Sequence, residues 1–223
     1  PFDKEYVTYV WFDALINYIS VPGYSSDDKK FAKWWPADLH LIGKDILTTH
    51  AVYWTTMLFS LGLPLPKTIF AHGWWLTGDT KMSKSLGNVI NPMDFIEKYG
   101  VDAVRYFLMR EMVLGADANF TEGAFIKRYN SDLANDFGNL LNRVSGLLEK
   151  YFDGKVPERP RQEEIDWTDA KAIQDYASSE QLGMNFIGKH VNELRVNKAI
   201  AFIMSIVGMA NKYLENQAPW KLA

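Results

Sequence analysis

Two lysines lie three residues apart in a short segment, which reads Lys81-Met82-Ser83-Lys84-Ser85. Ammonium groups on a small, flexible loop can bracket a polyphosphate, because each acts as a mobile point charge. The alternative is an ordinary solvated basic loop. The chemistry that such a pair favours is the neutralisation of negative charge that grows on phosphate oxygens during transfer reactions.

The residues that follow make the lysine segment more specific. The chain continues as Leu86-Gly87-Asn88-Val89-Ile90-Asn91-Pro92, and the whole string resembles the signature loop of class I aminoacyl-tRNA synthetases. The resemblance implies that ATP with Mg²⁺ is a substrate and that an amino-acid carboxylate attacks its α-phosphorus, with pyrophosphate leaving. It gives the main transition-state contact to Lys84 and a supporting one to Lys81, and it adds Met82, Ser83 and Ser85 to the ATP site. Several synthetases for apolar amino acids share this signature, so the amino acid stays open at this point.

A second segment narrows the choice of amino acid. Residues 11–18 read Trp-Phe-Asp-Ala-Leu-Ile-Asn-Tyr, and they resemble the segment that lines the methionine pocket of methionyl-tRNA synthetases. The resemblance implies methionine-binding roles for Trp11, Leu15, Tyr18, His50 and Trp54. Bacterial members of that family often have Pro at the position of Leu15 and Gly at that of Asn17. From residue types alone, Trp11, Leu15 and Tyr18 are also a plausible core set.

Two further pairs of residues follow predicted strands. Gly43 and Asp45 come after the strand 38–42, and His72 and Gly73 come after the strand 67–71. The carboxyl ends of parallel strands are where α/β sheets bind ligands. The resemblance places the ATP ribose at Gly43 and Asp45, and the adenine beside His72 and Gly73. Without it, Asp45 is a helix N-terminal anion and His72 a packing residue.

Strand and helix patterns predict the elements that must position these residues. The β-α-β-α-β rhythm predicts a parallel sheet, with strands at 5–12, 38–42 and 67–71, a short helix at 14–20 and a longer one from Asp45 to Leu61. Residues 73–91 are predicted to be loop. Helical periodicity then predicts helices over 101–112, 121–152, 168–193 and 197–216. We therefore predict an α/β domain at 1–118, the C-terminal half of a Rossmann-like catalytic domain, followed by an all-α domain at 119–223.

The helical part carries a polar ladder. At 100° per residue an apolar stripe forms on one side of the helix that begins after Thr121, with Leu133, Phe137, Leu140, Leu141, Val144, Leu147 and Leu148. Asn135, Asn139 and Arg143 fall opposite, where amide and guanidinium groups could read base edges. By resemblance, Asn139 and Arg143 match the anticodon-reading positions and Trp220 stacks on the anticodon. From residues alone, the ladder is a solvated face and Trp220 caps the helical bundle.

Composition limits the classes of function. The chain has 223 residues, a net charge of −3 and no cysteine, which excludes a disulfide framework, a cysteine nucleophile and a Cys-type zinc site. A nearly neutral chain excludes broad basic coating of nucleic acid but permits site-specific recognition. No apolar run is long enough for a bilayer and no leader is present, so we expect a cytoplasmic protein. Since cysteine is absent, we also expect no protein-bound zinc in this chain.

The class's other signature, a His-x-Gly-His-type turn, is absent from this chain. We therefore expect a fragment: the second half of the catalytic domain with most of the anticodon-binding bundle, inactive by itself. The function that follows is methionine–tRNA ligase, which uses ATP to form methionyl-adenylate and transfers methionine to tRNA(Met). Two alternatives remain, a non-catalytic tRNA-binding module and a class I synthetase for another apolar amino acid. The sequence leaves the oligomeric state open.

Overall fold

The structure, a computed structural model, describes residues 3–158 except 79, 84 and 86, then 171, 173 and 183–221. Contacts divide the chain into two compact units, residues 1–74 and 75–223. The predicted boundary after residue 118 falls inside the second unit and remains a prediction. None of the described helices is long and apolar enough to cross a membrane.

A pair of parallel strands forms the centre of the first unit. Strand β1 (His40–Gly43) pairs with β2 (Ile69–His72), and the register places Gly43 opposite His72. These strands confirm the predicted parallel sheet at 38–42 and 67–71. The core beside the sheet consists of buried residues from three helical segments and one loop: Leu15, Ile19, Trp35, Trp54 and Leu58.

The N-terminal segment differs from its prediction. Helix α1 spans Val10–Ser20, residues 5–9 have no regular structure, and no described strand pairs with them. Val7 is 95% exposed, so the β-branched run has no sheet to bury it. The strand predicted at 5–12 is therefore wrong. Trp11, Leu15 and Ile19 recur every four residues, which suits a helix whose one face packs into the core.

The long helix predicted from Asp45 to Leu61 is a succession of three helical segments. A 3₁₀ turn at Lys44–Ile46 leads to a π-helical segment at Thr49–Trp54 and then to α3 (Thr55–Ser60). The π segment buries His50 and Trp54, which are 1% and 0% exposed. Helix α2 (Asp28–Trp34) was not anticipated. Its N-terminus is capped by the Asp27 carboxylate, which accepts a hydrogen bond from the Lys30 N–H at 3.0 Å.

A small sheet opens the second unit, where the sequence predicted only a loop. Strand β3 (Trp75–Thr77) pairs antiparallel with β4 (Thr80–Lys81) and parallel with β5 (Ala118–Asn119). Strands of two or three residues are too short to show an alternating pattern. The turn between β3 and β4 uses Gly78 at φ 58°, a left-handed conformation that glycine adopts without strain.

The other elements of the second unit that the structure describes are mainly helices. Helices α4 (Pro92–Tyr99) and α5 (Val101–Glu111) precede β5, and α6 (Glu122–Arg128) runs through a π-helical segment (Tyr129–Gly138) into α7 (Asn139–Phe152). The Thr121 hydroxyl accepts from the Ala124 N–H at 3.1 Å, which confirms the predicted cap. Helix α8 (Met184–Asn192) precedes α9 (Val196–Gln217), which packs against α5, α7, α8 and the π segment. Most of the predicted helix at 168–193 lies outside the described residues.

Candidate functional site

Three of the residues assigned to methionine form one cluster around the buried His50 in the first unit. The Tyr18 hydroxyl lies 2.9 Å from His50 Nε2, and His50 Nδ1 lies 2.9 Å from the Ile46 carbonyl oxygen. Since a carbonyl only accepts, Nδ1–H donates to Ile46, and Nε2 accepts from Tyr18. Burial raises the pKa of Tyr18, which keeps its hydroxyl protonated and able to donate. Trp11 meets the His50 ring edge-on at 5.9 Å.

His40 joins this cluster, although sequence reasoning did not select it. The Trp54 indole N–H donates to His40 Nε2 at 3.3 Å, and the Tyr18 ring lies 4.3 Å from the imidazole, centroid to centroid. Burial, then the neighbouring His50, lowers the pKa of His40, so the neutral acceptor form is favoured. A histidine that opens a short apolar strand at a sheet's buried face was the available signal.

Trp11 and Leu15 also line a largely apolar cavity of about 410 Å³. Its remaining lining residues are Tyr9, Phe12, Tyr53, Thr56 and Met57. This volume is within the range of small-ligand sites, about 300–1,000 Å³. Leu15 itself is 1% exposed and belongs to the core, so it supports both the cavity wall and the packing beneath it.

The residues assigned to the ATP ribose and adenine meet at the carboxyl ends of β1 and β2. The strand register pairs Gly43 with His72. A β-carbon at Gly43 would lie 2.5 Å from Asp45 Oδ1, so only glycine permits this approach. His72 Nδ1 lies 2.8 Å from the Gly73 carbonyl oxygen and donates to it. Four predicted residues therefore share one edge of the sheet.

A cation that sequence reasoning passed over lies in the same unit. Lys44 Nζ sits 4.2 Å from the centre of the Trp74 ring, a cation–π distance. Lys44 stands between Gly43 and Asp45 in the chain, so it adds positive charge beside the residues assigned to ATP.

The lysine segment begins at the end of β4. Lys81 is exposed, and Met82 is half-buried against the aromatic core of the second unit. The hydroxyl oxygens of Ser83 and Ser85 lie 2.7 Å apart and share a hydrogen bond. Lys84 lies outside the described residues.

The anticodon ladder is only partly as predicted. Asn135 is exposed, and Asn139 and Arg143 are half-buried. Phe137, Leu141 and Val144, placed in the apolar stripe, are 50%, 58% and 38% exposed, so that part of the stripe is wrong. The π-helical segment upstream advances by less than 100° per residue, which rotates the faces of α7 relative to an ideal helix.

Trp220 lies in a 3₁₀ turn, Pro219–Lys221, directly after α9. It is 43% exposed, so its ring is available at the surface. Ala218 adopts the left-handed conformation at φ 43° and closes the helix with its N–H on the Leu214 carbonyl. The turn at Ala218 and Pro219 thus directs the chain away from the helix axis just before the tryptophan.

A charged network that sequence reasoning missed connects α5, α6 and the π segment. Arg128 donates from Nε and Nη2 to Glu111 Oε2, at 3.0 and 2.9 Å. The Tyr106 hydroxyl donates to Asp132 Oδ2 at 2.7 Å, and Ser131 donates to Oδ1. Burial opposes ionisation of Asp132, but these hydrogen bonds and the Arg128 charge outweigh it and lower its pKa. The network fixes the start of the helix that carries the ladder.

The chain matches a known protein family over most of its length. The family described as tRNA synthetases class I (M) matches residues 1–145, about two thirds of the chain. The chain therefore belongs to this family. Its parallel α/β part followed by helices confirms the predicted fold class.

Two similar curated proteins are methionine–tRNA ligases. The chain is 48% identical to the methionine–tRNA ligase of Caldanaerobacter subterraneus subsp. tengcongensis, over all of this chain and 34% of that protein. It is 46% identical to the ligase of Thermotoga maritima, over 99% of this chain and 34% of that protein. The chain thus spans about a third of the length of these curated relatives.

A solved structure shows the same fold. Methionyl-tRNA synthetase from Mycobacterium tuberculosis, bound by methionyl-adenylate, matches with a TM-score of 0.87 and 42% identity. The match covers 97% of this chain and 41% of that one. Its ligand-free form matches with a TM-score of 0.83 and 39% identity.

Proposed function

We propose that this chain is part of a methionine–tRNA ligase, which forms methionyl-adenylate from methionine and ATP and transfers methionine to tRNA(Met). The observation that carries the proposal is the likeness, over 97% of this chain, to a synthetase bound by methionyl-adenylate. The methionine carboxylate attacks the α-phosphorus of ATP, a P–O bond forms, and the bond to pyrophosphate breaks. Because charge builds on phosphate oxygens, the protein acts chiefly by positioning and electrostatic stabilisation.

ATP-binding roles are proposed for two sets of residues, one at the strand ends and one in the lysine segment. Gly43 and Asp45 bind the ribose, with the carboxylate accepting from its hydroxyls, and His72 and Gly73 lie beside the adenine. The lysine segment, residues 81–85, receives the phosphates, with Lys84 acting on the charge of the transition state and Lys81 supporting it. Mg²⁺ enters with ATP as part of the substrate. The described residues contain no group of three or more His, Cys, Asp or Glu side chains arranged to hold a metal ion.

Methionine is proposed to bind against the cluster of Trp11, Tyr18, His50 and Trp54, with Leu15 supporting Trp11 from the core. The hydrogen bonds from Tyr18 and to Ile46 occupy both nitrogens of His50. Both nitrogens are therefore engaged within the protein, and the orientation of the imidazole beside Trp11 and Tyr18 is fixed.

The tRNA is proposed to contact the helical part through Asn135, Asn139, Arg143 and Trp220. The half-exposed Trp220 can stack on an unpaired base, a contact that contributes about 1–3 kcal/mol. Asn and Arg side chains on α7 and on the π segment before it can bond base edges. This function also predicts a cytoplasmic location.

Methionine-dependent ATP–pyrophosphate exchange tests the proposal. In the complete protein we expect exchange with methionine and much weaker exchange with leucine or isoleucine. Lys84→Ala should slow adenylate formation by about 10²–10³-fold, because it removes a contact made mainly in the transition state, and leave methionine affinity nearly unchanged. A preference for leucine or isoleucine would favour another class I synthetase. Equal loss of rate and of methionine affinity would reject the role of Lys84.

The 223 residues alone provide a second arm of this test. We expect them to show no exchange, because the sequence lacks the His-x-Gly-His-type turn of the class. Anticodon-stem RNA should still bind to them, and binding without turnover would mark this piece as a tRNA-binding module in isolation.

A further inference from the structure

The side-chain amide of Asn88 bridges two backbone positions of the lysine segment. The Ser83 N–H donates to Asn88 Oδ1 at 2.7 Å, and Asn88 Nδ2 donates to the Lys81 carbonyl oxygen at 3.2 Å. Asn88 is half-buried and follows Gly87, whose φ of 64° turns the chain back toward the segment. One amide thus closes the loop by bonding to both sides of Met82.

Met82 anchors the same loop from below. Its side chain packs against the aromatic core of the second unit and lines an apolar cavity of about 220 Å³ with Trp75 and Phe95. On one side of this anchor, β4 pairs Lys81 with Leu76 of β3. The Asn88 amide bonds to the Lys81 carbonyl and to the Ser83 N–H, so it extends the fixed backbone from β4 across Met82 into the segment.

We infer that Asn88 is a positioning residue of the phosphate site, which acts through the backbone of Lys81 and Ser83 to hold the start of the lysine segment in the conformation that meets ATP. The inference rests on the proposed function. Asn88 needs no contact with ATP for this role, because both of its bonds go to main-chain atoms. An amide is required since one atom must accept and the other must donate.

Replacing the amide should reduce the rate of chemistry more than it reduces binding. In the complete protein, Asn88→Ala should slow methionine-dependent ATP–pyrophosphate exchange by about 10–100-fold, because a misplacement of about 1 Å can cost that much. The Kd of methionine should stay within about twofold, since the methionine residues belong to another part of the chain. A parallel loss of methionine affinity would overturn the inference.

A double-mutant cycle separates positioning from a general structural role. Once Lys81 and Lys84 are both Ala, Asn88→Ala has no ammonium groups left to position, so it should slow exchange by less than about threefold further. An equal loss in both backgrounds would mean that Asn88 acts elsewhere, and the inference would fail. If the lysine variants themselves retain full exchange, the proposed function fails instead.

Tryptic cleavage after Lys81 reports directly on the amide bridge by Asn88, because Asn88 donates a hydrogen bond to the carbonyl of that peptide bond. Asn88→Ala should speed cleavage there by up to about tenfold, as expected for loss of one or two hydrogen bonds. The control is Asn91→Ala, which removes the cap of α4. It should lower the melting temperature while leaving exchange and this cleavage near wild type. Unchanged cleavage in Asn88→Ala would reject the positioning role of Asn88.

Discussion

At Gly43 a missing β-carbon lets the backbone pass beside the carboxylate two residues later. An added methyl group would lie 2.5 Å from Asp45 Oδ1 and displace it. If Asp45 binds the ribose, Gly43→Ala should raise the Kd of ATP about tenfold, the equivalent of losing one hydrogen bond to a charged group. The methionine Kd should change little. Calorimetric titration of both ligands measures the difference.

Gly123 provides the matched control for this substitution. It lies in α6, and a β-carbon there meets no atom within 4 Å. Gly123→Ala should therefore leave ATP binding unchanged and stabilise the helix by up to about 1 kcal/mol. Equal ATP affinity in the two alanine variants would reject the ribose role of Asp45.

His40 makes the stability of the first unit depend on pH. Its pKa in the folded state lies below the ordinary value of 6.5, so the unfolded chain binds the proton more readily. Stability is therefore greatest above about pH 6.5 and falls as pH drops from there toward the folded pKa. Urea unfolding between pH 7.5 and 5.5 should show this fall. His40→Gln keeps an acceptor for Trp54 and cannot be protonated, so its pH slope should be smaller; an unchanged slope would exclude His40 as the source.

At the scale of elements, the helix that bears the polar ladder and the turn that bears Trp220 should act together on tRNA. Trp220→Ala should lower aminoacylation by about 1–3 kcal/mol, through loss of stacking, while ATP–pyrophosphate exchange stays near wild type. Arg143→Gln should do the same more weakly. If both residues contact one base, the effect of the pair will be less than the sum. Early melting with loss of both activities would instead make Trp220 a structural residue.

Helices whose ends are set by neighbouring residues in the chain could be predicted from the sequence. Thr121 caps α6 as expected, and the helical course through α7 ends at Phe152 as expected. The segment 5–9 was not predictable, because its residues favour a strand but no described strand pairs with them. The strands β3, β4 and β5 are too short for a pattern and depend on each other across the chain.

The residues of the candidate site also fall into two groups, those found from the sequence and those missed. Tyr18, His50 and Trp54 were selected by resemblance, and helical spacing brings two of them onto one face. His40 and Asn88 were missed because their importance lies in partners that sequence spacing does not reveal, an indole 14 residues away and two main-chain groups. The exposure of Phe137, Leu141 and Val144 was missed because a π-helical segment leaves no simple pattern in the sequence.

At the scale of the whole molecule, an aromatic cluster crosses the predicted boundary after residue 118. Phe95 and Phe107 lie on one side, Phe120 and Phe125 on the other, with ring centres 5.0–5.3 Å apart in four pairs. We expect the polypeptide 75–223 to unfold cooperatively, and 119–223 to lack a cooperative transition because Phe125, 0% exposed here, would lose its partners. Thermal unfolding of both polypeptides, followed by circular dichroism, tests this expectation. A cooperative transition in 119–223 would support a boundary at 118.

The indoles of Trp35 and Trp54 lie 6.0 Å apart at an interplanar angle of 78°. Two identical chromophores so close and so steeply inclined share their excited states, and a chiral arrangement of this kind produces a paired positive and negative band in circular dichroism. Both rings belong to the core of the first unit and both are nearly inaccessible to water. The first unit therefore carries an optical signature of its own packing, distinct from the helical signal that the second unit dominates.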